Sequence, residues 1–75
     1  MTSPLGQLER EAENLAAATE RLADVALDLL SAALDSEAGP AAEEAVRIER
    51  EVQKARRAVA KAEAILRALT SHRDD

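Results

Sequence analysis

The chain predicts an all-α fold, an antiparallel two-helix hairpin that pairs with a second copy into a four-helix bundle. Three observations predict it: two heptad ladders of apolar residues, a phase break between them at Gly39-Pro40, and a 75-residue composition without cysteine or aromatic side chains. The first ladder runs Leu5, Leu8, Ala12, Leu15, Thr19, Leu22, Ala26, Leu29, Ala33. The second runs Ala45, Ile48, Val52, Ala55, Val59, Ala62, Leu66, Leu69. Alternating steps of three and four residues keep one helical stripe turned toward a partner. Continuing the first phase would place the next seam residue at 40, which the second ladder omits. Two helices follow, not one.

Helix 1 is expected over about residues 4–37. Ser3 has the hydroxyl for an N-cap and Pro4 fits the first helical position, where its missing N–H costs nothing. Gly6 weakens the first turn by about 1 kcal/mol relative to alanine. A turn is expected near 36–40, with Gly39 either ending the first helix or preceding the second and Pro40 in the first turn of helix 2. Helix 2 is expected over about 40–70, with Glu43 and Glu44 near its positive end and a tail at 71–75. A turn centred near residues 37–38 sets Leu22 opposite Ala55, Leu15 opposite Ala62 and Ala12 near Leu66. Such pairing of large with small lets two backbones approach closely.

A chain this short seldom supports itself on one core, and disulfides are excluded because cysteine is absent. The only histidine, His72, lies in the expected tail, so oligomerisation or partner binding is the remaining support. Helix 1 widens its apolar face toward the turn, where Val25, Leu27, Leu30 and Leu34 flank the seam. One narrow helix cannot bury all of these, so a homodimer is expected. Its interface is assigned to Leu22, Val25, Leu27, Leu29, Leu30, Leu34 and Ile65, with Ala58 beside Ile65.

Charge is segregated between the arms. Residues 1–38 carry eight acidic and two basic side chains, residues 39–75 seven and eight, within a net charge of −5. On helix 1 Glu13, Glu20, Asp24, Asp28 and Asp35 share a face. On helix 2 Arg47, Arg50, Lys54, Arg57 and Lys61 form a basic stripe turned away from the core. That stripe is the candidate partner-binding surface for an acidic protein, apart from intrahelical pairs expected at Glu43–Arg47 and Arg47–Glu51. Net acidity and the lack of aromatic residues for base stacking put nucleic acid behind a protein partner.

Catalytic and metal chemistry find little footing. None of Thr2, Ser3, Thr19, Ser31, Ser36, Thr70 and Ser71 has a histidine at an activating helical spacing, and Thr19 is expected to bond back to the Leu15 carbonyl. Glu20, Asp24 and Asp28 are spread along a helix where a hard cation needs converging oxygens. No enzyme activity, cofactor or metal is expected. No apolar run reaches the ~20 residues of a membrane span, and no basic segment leads into an apolar one at Met1-Thr2-Ser3-Pro4, so no membrane partner and a cytoplasmic location are expected.

Two resemblances bear on role. The hairpin pattern resembles the small dimeric RNA-binding bundles of the Rop type, which implies a nucleic-acid regulator acting through the basic stripe; no motif residue carries over. Glu43-Glu44-Ala45-Val46-Arg47, followed by Glu49-Arg50, Val52 and Ala55-Arg56-Arg57, resembles the second helix of the exonuclease VII small subunit, which implies an accessory subunit. The turn departs from that family, with Glu37-Ala38-Gly39-Pro40-Ala41 where the family resembles Gly-Asp-Leu-Pro-Leu. A non-enzymatic protein-protein interaction module, serving as adaptor, regulator or assembly subunit, is the leading expectation. A regular ladder also suits an engineered bundle, although Gly6 and Thr19 are less idealised than design favours.

Overall fold

The structure, a computed structural model, describes residues 3–71. It consists of two packed helices, α1 (Pro4–Asp35) and α2 (Pro40–Ser71). Each is 32 residues long, about 48 Å at 1.5 Å per residue, and the hairpin measures 56 × 19 × 14 Å. His72 and the rest of the expected tail beyond Ser71 lie outside the described residues, as do Met1 and Thr2.

The ends follow from local chemistry. Ser3 is extended, and its Oγ accepts a 3.0 Å bond from the Gly6 N–H while its carbonyl accepts from the Gln7 N–H at 2.9 Å. The side chain thereby satisfies one of the donors orphaned at a helix start, and the carbonyl accepts the first bond of the helix. At the other end Ser36, with extended backbone, donates its N–H to the Ala32 carbonyl at 3.1 Å and its hydroxyl to the same oxygen at 2.8 Å. Gly39 precedes α2, where its carbonyl accepts from the Glu43 N–H at 3.0 Å. Its φ of +155° is one that side-chain-bearing L residues rarely adopt.

The α1 ladder is the α1 seam. All nine of its residues are buried or half-buried, with Ala12 at 0% and Ala26 at 2% exposure the deepest. Thr19 donates its hydroxyl to the Leu15 carbonyl at 3.0 Å, so the one polar seam residue of α1 is satisfied within its own turn.

Helix α2 is rotated from its expected setting. Ala45, Val52, Val59, Ala62 and Leu66 are half-buried, but Ile48, Ala55 and Leu69 are exposed, and Glu49, Arg56, Glu63 and Thr70 take the alternate seam places. Leu22 therefore does not meet Ala55. The physical reason lies in α1. Counting equal heights from Asp35 and Pro40, Ala12 is level with Glu63, Thr19 with Arg56 and Ala26 with Glu49. Small side chains there leave room for aliphatic stems, which lie along the seam while their heads reach its edge. On that edge Gln53 Nε2 donates to Glu49 Oε2 at 2.9 Å, and Arg56 Nη1 donates to Gln53 Oε1 at 2.7 Å.

Candidate functional site

The rotation of α2 leaves apolar residues on both flanks of the hairpin. On the first, Glu13, Glu20, Leu27 and Leu34 stand in line at seven-residue steps along α1, with Leu30 beside them. Leu34 is 86% exposed, Leu27 62% and Leu30 40%. A groove near the turn joins this line to α2, because Leu30 and Leu34 share its wall with Glu43, Val46 and Arg50. Arg57, one heptad beyond Arg50, continues the line on α2. We call this the leucine flank.

The second flank carries Ile48, Ala55, Ala58, Ile65 and Leu69 of α2, all exposed. Ile48 stands two residues from both Val46 and Arg50, a rotation of about 160°. Val25 of α1 belongs with it, five residues and about 140° from Leu30. The seven residues assigned to a dimer interface are thus divided among three places. Leu27, Leu30 and Leu34 lie on the leucine flank, Val25 and Ile65 on the isoleucine flank, and Leu22 and Leu29 are half-buried in the seam. One flat contact reaches only one flank. Val46 escaped sequence reasoning, although its position one residue after a seam alanine was the available signal.

The flanks differ in charge. The isoleucine flank is bordered by Asp28 and Asp35 on α1 and by Glu44 and Glu51 on α2, so both helices are acidic there apart from Arg21. The leucine flank is bordered by Glu13 and Glu20 on α1 and, on α2, by Glu43 beside the turn followed by Arg50 and Arg57. Among the described residues these five form no ion pair.

The basic stripe is exposed throughout. Its intrahelical pairs differ from the expected Glu43–Arg47 and Arg47–Glu51: Arg47 binds Glu44 through two nitrogens, and Glu51 is taken by Lys54, whose Nζ lies 2.7 Å away. The hydrogen bond from Arg47, reinforced by its charge, holds the Glu44 carboxyl below the usual glutamate range. The hydrogen bond and charge of Lys54 do the same for Glu51, with a smaller contribution from Arg47. Arg47 is itself raised by its bond to Glu44. Arg50, Arg57 and Lys61 make no such pair among the described residues.

The acidic residues Glu20, Asp24 and Asp28 do not converge, and among the described residues no cluster of three or more ligating side chains could hold a metal ion. No described helix is long and apolar enough to cross a membrane. Comparison with protein-family models, curated proteins and solved structures finds no match. The likeness to the exonuclease VII small subunit therefore rests on the α2 residues alone.

Proposed function

We propose that the chain is a non-enzymatic interaction module whose working unit is a homodimer joined through the leucine flank. One observation carries this reading. No described side chain larger than alanine is buried, while Leu27, Leu30 and Leu34 stand in solvent. A hairpin of this size stabilised only by two buried methyl groups and a half-buried seam lacks the core that short chains need. A second copy on the leucine flank completes that core and converts the hairpin into a four-helix bundle.

The dimer then presents Arg47, Lys54 and Lys61 outward, at seven-residue steps on the back of α2. That row suits an acidic protein surface, and the bundle acts as adaptor, regulator or assembly subunit through it. Lysine and arginine at such a rim set encounter rate and partner choice more than affinity.

The test is a pair of charge insertions read by size-exclusion chromatography with light scattering. Leu27→Glu with Leu34→Glu should weaken the dimer at least a hundredfold, since two leucines per copy are withdrawn from burial worth roughly 1.5–3 kcal/mol each. Ile65→Glu should leave it intact. Equal loss from both, or from neither, contradicts the reading.

A further inference from the structure

We propose that the two copies pair with their turns at the same end, α1 of each lying against α2 of the other. This rests on the homodimer reading above and adds the partner's orientation. Its ground is the arrangement of the leucine flank, where the leucines crowd one end and the two helices carry opposite charges beyond them.

A two-fold axis parallel to the helices sets α1 of one copy over α2 of its partner at equal heights. Leu27, Leu30 and Leu34 then meet the turn-side end of the other copy, where Val46 stands. Farther from the turn Glu20 comes within two residues, about 3 Å, of the height of Arg57 of the second copy, and the symmetric pair forms with it. Opposite charges meet twice, and only Glu43, which lines the groove with Leu30 and Leu34, brings a carboxylate near the leucines.

An axis perpendicular to the helices does the reverse. It lays α1 on α1, and because Glu20 sits at the midpoint of Pro4–Asp35 it falls beside its own symmetry mate. Leu27 falls on Glu13, and Arg57, near the midpoint of Pro40–Ser71, approaches its own counterpart. Like charges placed together disfavour that dimer. The isoleucine flank is a poorer seat for a second copy in either orientation, because acidic residues border both of its helices.

The chain contains no cysteine, so single-cysteine variants can be spin-labelled cleanly. Glu37→Cys marks the turn and Gln7→Cys the open end, both exposed positions, and pulsed dipolar spectroscopy reads the distance between copies. The same-end dimer gives short distances, under about 25 Å, for both labels. An opposite-end dimer places the Gln7 labels about 40 Å apart or more, from ~1.5 Å per residue on either side of the helix midpoint. That result overturns the orientation and leaves the homodimer standing; a monomer at labelling concentration overturns both. Charge exchange gives an independent reading. Glu20→Arg should weaken the same-end dimer on the order of tenfold, two attractive contacts becoming repulsive, and adding Arg57→Glu should restore it to within about threefold. Failure of the double exchange to restore it contradicts the pairing.

Discussion

Replacing Ala26 by leucine tests how closely the two helices approach. Ala26 is 2% exposed in the α1 seam, level with the half-buried Glu49 stem. Leucine adds three carbon atoms. Were there room for them, burial at about 0.8 kcal/mol per methylene would stabilise the fold by roughly 2 kcal/mol. With the space already filled, the same atoms force the helices apart or the side chain off its rotamer, which costs about 1–3 kcal/mol. The two pictures differ in sign. Urea denaturation followed by circular dichroism, at one fixed protein concentration because a dimer's stability depends on it, should show Ala26→Leu less stable than the parent by about 1–3 kcal/mol. Ala58→Leu, at an exposed position, should stay within about 0.5 kcal/mol. A more stable Ala26→Leu protein would refute the close approach and with it the explanation for the rotation of α2.

Three further outcomes are expected. Arg56→Met should stabilise the fold by about 1 kcal/mol, because Arg56 Nε is buried without a hydrogen-bond partner among the described residues; a change near zero would mean that residue 56 points to solvent. Gly39→Ala should destabilise by about 1–3 kcal/mol through backbone strain. The added methyl meets only the Glu37 carbonyl oxygen at 3.9 Å, so the loss comes from the backbone conformation and not from crowding. In a carbon-detected titration Glu44 and Glu51 should lose their protons below the ordinary 4.5 of glutamate. Depressed carboxyls stabilise the fold above that value and lose the contribution as pH falls through their folded pKa values. The effect of Glu44→Gln with Glu51→Gln should therefore be present at neutral pH, absent in acid below those values and reduced by added salt.

The helical hairpin was legible because its signals agree. The α1 ladder, the Ser3 cap with Pro4 behind it and the phase break at Gly39-Pro40 each point to the same two helices. The setting of α2 was not. Its apolar residues fit two adjacent stripes, one through Ile48, Ala55 and Leu69 and one through Val52, Val59 and Leu66, and hydropathy favours combining them. What separates them is volume on the other helix: Ala12, Thr19 and Ala26 admit the stems of Glu63, Arg56 and Glu49, a preference that belongs to the pair of helices and not to either pattern. The candidate interface shared that fate. Leu27, Leu30, Leu34, Val25 and Ile65 read as one widened apolar face until the seam direction divides them between flanks. The ion pairs shifted for a smaller reason, since Arg47 has carboxylates at three residues before it and at four on either side, and rotamer geometry selects Glu44.

Sedimentation equilibrium of the unmodified chain over a micromolar concentration series, with helicity measured on the same samples, bears most directly on the second copy. A helical species of twice the 8.0 kDa chain mass is expected, dissociating on dilution with loss of helicity. A single 8.0 kDa species that stays fully helical throughout the series would contradict it.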